Sequence, residues 1–209
     1  FVDDINRSVY DIKNEENDSY RIKQGLTPEI VEKISEEKHD PAWMREFRLK
    51  SLEIYNNMQV PDWGPSIDGL NMDNIATYVR ANTNMKGDWK DVPEEIKDTF
   101  DRLGIPKAER ESLAGVGAQY DSELVYHNVR KEVADQGVVY TDMESALTGE
   151  YADMVHEHFM KLITPQDHKF AALHGAVWSG GSFVYVPKGV NLEIPLQSYL
   201  SLIHISAPT

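Results

Sequence analysis

Between Asp40-Pro41 and Met58 the apolar residues Met44, Phe47, Leu52, Tyr55 and Met58 recur at helical spacing, against Arg45, Glu46, Arg48 and Lys50. That pattern calls for an amphipathic helix whose apolar stripe packs against something else, with the charged set facing water. A second helix start precedes it. Thr27-Pro28-Glu29 places an N-cap threonine before a proline in the first turn, and Ile30, Val31 and Ile34 supply a buried side. Asp40-Pro41 repeats the device. The front of the chain therefore has to form a helical pair, which ends in the irregular loop Pro61-Asp62-Trp63-Gly64-Pro65.

The pattern then changes. The stretch from Ile67 to Trp89 is ambiguous, with a short element expected around Ile75–Val79. Val92-Pro93-Glu94-Glu95 opens another helix, aligning Ile96, Phe100 and Leu103 and closing at Gly104 before Pro106, with a further helical turn over Lys107–Leu113. Beyond Tyr120, Leu124-Val125-Tyr126 reads as a strand and Asn128–Gln136 as a helix capped by Gly137. Val138-Val139-Tyr140 reads as a strand, and Thr141 with Glu144 as a capping box. Tyr151–Ile163 reads as one amphipathic helix with Tyr151, Val155, Phe159 and Leu162 on a common side. Ser182–Val186 is a β run followed by the turn Pro187-Lys188-Gly189, with Pro at its second position and Gly at its fourth, and a strand-like pattern resumes at Leu192–Leu196. The fold class expected is α+β: a helical region first, then mixed α/β ending as β structure begins. Four segments follow: 1–24 polar and flexible, 25–119 mainly helical, 120–199 α/β, and 200–209 apart from the rest.

Composition limits the chemistry. The 209 residues hold 35 Asp and Glu against 21 Lys and Arg, a net charge of −14, and no cysteine. This chain alone has no disulfide, no thiolate nucleophile and no cysteine-held metal or cluster. The acidic balance opposes a broad phosphate-binding surface and an anionic membrane. No apolar run exceeds four residues (Phe170–Leu173 and Phe183–Val186), too short to span a bilayer. A cytoplasmic protein is expected.

Spacing yields no active site. In His156-Glu157-His158 the imidazoles are two apart and diverge on a helix, whereas zincin chemistry needs them four apart. His158, on the side of Tyr151, Val155 and Leu162, is expected as a half-buried core histidine and His156 as a solvated one. His168 and His174 are six apart and His127 points outward from a strand; none has a partner suggesting a nucleophile–base pair. Ser179 lacks the flanking glycines of a nucleophile elbow. Gly115-Val116-Gly117 and Gly180-Gly181-Ser182 lack a phosphate-loop ending and suit a turn or close packing. No catalytic, cofactor-binding or metal-ligating residue is assigned.

Five blocks in order carry a resemblance. They are Asp40-Pro41-Ala42-Trp43-Met44-Arg45-Glu46-Phe47-Arg48-Leu49-Lys50-Ser51-Leu52, then Val92–Lys97 with Leu103–Pro106. Leu113-Ala114-Gly115-Val116-Gly117-Ala118-Gln119-Tyr120 and Tyr126-His127-Asn128 follow. Last come Lys169–Leu173 and Ala176-Val177-Trp178-Ser179-Gly180-Gly181-Ser182-Phe183-Val184-Tyr185-Val186-Pro187-Lys188-Gly189-Val190. From about Gly25 to Tyr199 the chain resembles the SufB/SufD family of iron–sulfur cluster assembly scaffolds, on the SufB side. The resemblance implies a truncated right-handed parallel β-helix after Ser182, and an iron–sulfur cluster as the cargo of the intact family member. It also implies partnership with the SufC ATPase, SufD and a sulfur-donor protein, and a non-enzymatic role. After Tyr199, Leu200–Thr209 departs from the family pattern and is expected to be non-native. The family's sulfur-accepting cysteine and cluster ligands fall beyond that departure, so no site residue transfers. Two other readings stand beside it: an acidic helical interaction module, and a metal-dependent hydrolase using His156, His158, His168 and a nearby carboxylate.

Overall fold

The computed structural model describes residues 18–64, 66–81, 88–102, 115–120 and 123–201. The polar segment up to Asn17, the closure at Gly104–Pro106, the helical turn at Lys107–Leu113 and the tail beyond Ser201 lie outside them. The described chain is mixed α and β and forms two compact units, each built from segments distant in sequence. Residues 21–79 and 144–179 make one; residues 1–20, 80–143 and 180–209 make the other.

In the unit of residues 21–79 and 144–179, helix α1 (Pro28–Glu37) begins as its sequence dictates. Thr27 is extended and its Oγ1 accepts from the Ile30 amide at 3.4 Å, while Ile30, Val31 and Ile34 are buried. Hydrogen bonding to Thr27 also holds the exposed Glu29 carboxyl below the usual carboxylate range. The helix ends with His39 in the left-handed region (φ 53°). The His39 and Asp40 amides turn back to Glu36 and Ser35 carbonyls at 3.1 and 3.0 Å, a Schellman closure.

That closure gives Asp40 a role other than the expected cap. Helix α2 (Ala42–Asn57) starts at Pro41 with no side-chain cap, and Asp40 instead turns inward. Its Oδ2 accepts from Arg48 Nε at 2.5 Å, and both side chains are fully buried. Arg48, read above as part of the water-facing set, lies in the same stripe as Met44 and Leu52. Its Nη1 donates to the Ala176 and Trp178 carbonyls at 3.3 and 2.7 Å, and its guanidinium sits 4.7 Å from the Trp178 ring centroid. These carbonyls close α7 (Lys169–Val177), where orphan acceptors and the helix dipole favour a cation. Burial pulls the guanidinium below its ordinary value, and Asp40 opposes that pull. Where α2 and α7 meet, Gly175 leaves no room for a side chain: a Cβ there would lie 2.6 Å from Ser51 Oγ. Val31, Leu52 and Ala176 form the core between α1, α2 and α7, with Leu26, Leu49, Tyr55 and Val177 around it.

The other unit carries most of the strands. β1 (Asp18–Arg21), expected as part of the polar, flexible segment, pairs with β2 (Val79–Ala81). Arg80 stacks on the Tyr20 ring at 5.8 Å, a contact no local pattern announces. In α3 (Glu94–Arg102) Ile96 and Phe100 are buried as the spacing requires, with Trp89 edge-on to Phe100. Strand β3 (Gly115–Tyr120) pairs antiparallel with β4 (Glu123–Val129) through an irregularity at Ala118/Gln119, and parallel with β7 (Leu196–Ser201). β5 (Val139–Asp142) and β6 (Ser182–Tyr185) form an antiparallel pair.

Several expected boundaries move. Asn128 and Val129 belong to β4, which leaves α4 only Lys131–Ala134. Its Val133 packs with Val138, Val129, Val190, Leu192 and Leu196. Gly137 closes this turn at φ 80°, as read, against Pro187. Thr141 is in β5 and forms no capping box; the α5 helix (Met143–Thr148) begins one residue past the strand, and Glu144 pairs with Lys38. A turn forms one residue later than expected, the Val190 amide donating to the Pro187 carbonyl so that Pro187 is first and Gly189, at φ 87°, third. The following strand starts at Leu196, not Leu192, and Leu200 and Ser201 extend it. Tyr140 Oη donates to the Gln197 carbonyl at 2.7 Å and fixes β7. No sheet closes among the described residues, and no described helix is long and apolar enough to cross a membrane.

The buried pair makes a direct test. Arg48→Ala strands the Asp40 carboxylate and should cost about 3–5 kcal/mol in urea unfolding at neutral pH. The Asp40→Leu/Arg48→Met double replacement should recover at least half of that, since no unpaired charge remains. A single-variant loss below about 1 kcal/mol would show that the pair is not holding α7.

Candidate functional site

An amphipathic helix over Tyr151–Ile163 does not form. Helix α6 spans only Ala152–His158; Phe159 leaves helical geometry and Met160 is left-handed at φ 47°. The break has a packing cause. Phe159 places its ring 5.4 Å from Phe47 and 5.1 Å from Trp178, an aromatic cluster that a continuous helix would not reach. The chain beyond it is thrown outward: Leu162 is 97% exposed and Ile163 65%, so Leu162 is a surface residue and not part of a core face.

His168 then starts α7. Its Nδ1 accepts from the Phe170 and Ala171 amides at 3.1 and 3.2 Å, the N-cap role usually taken by Ser, Thr, Asp or Asn. That acceptance places the ring proton on Nε2. Its ring contacts Trp63 and Phe170 edge-on, at 6.3 and 6.2 Å between centroids. Trp63 itself is 77% exposed.

Between the Met160–Ile163 lip and the start of α7 lies an open cleft of about 570 Å³. Ala171 is buried there, and Leu162, Ile163, Phe170, His158, His168 and His174 line the rest, with Met160 and Lys161. His158, expected as half-buried, is exposed. His174 is exposed, yet partial desolvation and the facing Arg48 charge both hold it below its ordinary value. His156 is outside the cleft, stacked on Trp43 at 4.3 Å. His158 and His168 thus share one cleft, while His156 has a separate aromatic partner. Among the described residues no three His, Asp or Glu side chains come together to hold a metal ion.

The glycine runs also find their places. Gly115 and Gly117 are strand residues of β3, each paired with both neighbouring strands. Gly181 adopts φ 141°, and a Cβ on Gly180 would collide with the Gln119 side chain at 2.9 Å, the close packing expected of that pair. What the sequence reading missed is the cleft, since it depends on α6 ending early. The one available signal is His168 two residues after Pro165-Gln166, at the head of an apolar helical run.

Comparison with known proteins bears on the chain as a whole. Residues 30–198 match the family model of the SufBD protein N-terminal region. Over 199 residues, 95% of its length, the chain is 52% identical to the iron–sulfur cluster assembly protein SufB of Bacillus subtilis. It is 47% identical over the same length to an iron–sulfur cluster assembly SufBD family protein of Staphylococcus haemolyticus, and 46% to one of Staphylococcus epidermidis. The chain spans 43% of the length of each of these relatives.

Two outcomes are expected of the histidines. His168→Ala should cost about 1 kcal/mol in unfolding free energy, and His168→Asn less than half of that, because asparagine restores the acceptor. Equal losses would assign the effect to packing against Trp63. His174, held low in the folded chain, binds its proton more readily when unfolded. Its contribution to stability is therefore complete above about pH 6.5 and lost as pH falls below it. Thermal unfolding of His174→Gln across that range should show a flatter acid limb than the wild type.

Proposed function

Because the chain belongs to the SufB/SufD family through its shared N-terminal region, we propose that it contributes the front portion of a SufB-like scaffold for iron–sulfur cluster assembly. The scaffold acts with the SufC ATPase and with SufD, in the cytoplasm. The observation that carries this reading is the 52% identity to a SufB over 95% of the chain. The role is non-enzymatic: ATP hydrolysis belongs to the partner, and the cluster is cargo received from a sulfur-donor protein and passed on. With no cysteine among the 209 residues, thiolate ligands for that cargo come from elsewhere in the assembly.

On this reading the strands β6 and β7 enter a right-handed parallel β-helix. The parallel pairing of β3 with β7 supports it, since a β-helix stacks parallel strands and each coil buries the next. The helices α1, α2 and α7 then serve as the front of the scaffold, with Arg48 fastening α7 to α2.

A chimera tests the proposal. The 199 matched residues of this chain replace the corresponding portion of the Bacillus subtilis SufB, and cells depending on the chimera are assayed for an iron–sulfur enzyme. Restored activity, together with SufC and SufD retained on the purified chimera, is expected. A folded chimera that retains neither partner would overturn the assignment.

A further inference from the structure

The cleft beside α7 has a composition at odds with the chain around it. In a chain of net charge −14, no Asp or Glu among the described residues lines it; Lys161 is its charged group, and His158, His168 and His174 bring imidazole edges. Lys161 is exposed and makes no ion pair among the described residues. Beside it Leu162 and Ile163 are held in water at 97% and 65% exposure, and Phe170 is 37% exposed across the cleft. A lone exposed leucine needs no explanation, but adjacent ones flanking a cleft of about 570 Å³ form a contiguous apolar surface of the kind that marks a contact site. The lip is set by Met160 in a left-handed conformation, a costly geometry for a residue with a side chain. The aromatic anchoring of Phe159 and the histidine cap of α7 hold both walls in place, so the cleft is preformed.

We propose that this cleft docks an amphipathic helical segment of a partner protein, one with leucine-type side chains on one face and carboxylates beside them. The apolar anchors enter between Leu162–Ile163 and Phe170, and the acidic flank meets Lys161 and the imidazole edges. A helix fits because its anchors recur on one face at spacings that suit a short cleft, and the cleft offers no strand edge to extend. Charge complementarity selects the acidic partner: a basic one gains from the chain's overall field but meets Lys161 at the point of contact. The same net charge disfavours an anionic lipid surface as the occupant. This inference stands on the cleft alone and is independent of the family assignment.

The test titrates two labelled synthetic helices into the 209-residue chain at low salt. One carries Leu at i, i+3, i+4 and i+7 with Glu at the flanking positions; the other has Lys for each Glu. The Glu helix should bind at least about tenfold tighter than the Lys helix. Lys161→Glu should abolish or invert that ratio. Leu162→Ser should weaken the Glu helix by about tenfold or more while leaving the melting temperature unchanged, since the side chain is solvated in the free chain. The proposal fails if neither helix binds, if both bind equally, or if the preference survives Lys161→Glu. It fails equally if Leu162→Ser abolishes self-association of the chain or adsorption to phosphatidylcholine vesicles, which would assign the cleft to a second copy or to a lipid surface.

Discussion

The buried guanidinium of Arg48 is the point on which the helical unit depends. One side chain engages a carboxylate oxygen delivered by the end of α1, two carbonyls at the end of α7 and the face of Trp178, leaving Asp40 Oδ1 and Arg48 Nη2 unpaired among the described residues. A charge taken out of water is tolerable only when such partners surround it, and removing any one leaves the others exposed to the low dielectric. Apolar contacts between Val31, Leu52 and Ala176 supply burial, but they are non-directional and would tolerate sliding. The ion pair and its carbonyl partners are directional, and they set the register of α7 against α2. Gly175 opposite Ser51 completes that register by excluding any side chain from the closest approach.

Residue by residue, the local signals were readable where a single segment decides the outcome. Thr27-Pro28, the buried set of α1, the burial of Ile96 and Phe100, the closure at Gly137 and the turn after Pro187 all follow from neighbours in sequence. Arg48 was misread because residue type argues for water, while its partners lie up to 130 positions away. Yet its spacing carried a hint: Met44, Arg48 and Leu52 repeat every four residues, so a cation interrupts an otherwise apolar stripe. Asp40 looked like a cap because Asp before Pro usually is one, and the Schellman closure redirected it. The length of α6 was unreadable for a related reason. Helical periodicity ran on through Leu162, but the gain from placing Phe159 between Phe47 and Trp178 ended the helix four residues earlier than that pattern.

The candidate site follows from these same departures. Had α6 continued, Leu162 would have been a core residue and no cleft would separate it from Phe170. The aromatic cluster that closes the interior thus opens the surface beside it, and His168 stabilises the other wall by accepting two amides with a group that also lies against Trp63 and Phe170. Fold and recognition surface are products of one packing decision. The family match runs over residues 30–198, this corner included, but names no occupant for the cleft.

The interleaving of the two units has a consequence for how the chain is made. The helical unit needs residues 144–179 before Arg48 can find its carbonyls, yet residues 80–143 belong to the other unit and are synthesised in between. At roughly 5–20 residues per second, several seconds separate the synthesis of Arg48 from that of its carbonyl partners. Closing that long gap carries a loop-closure entropy that is met only once residues 144–179 are present. A ribosome that pauses before Trp178 therefore leaves both of these units incomplete at once.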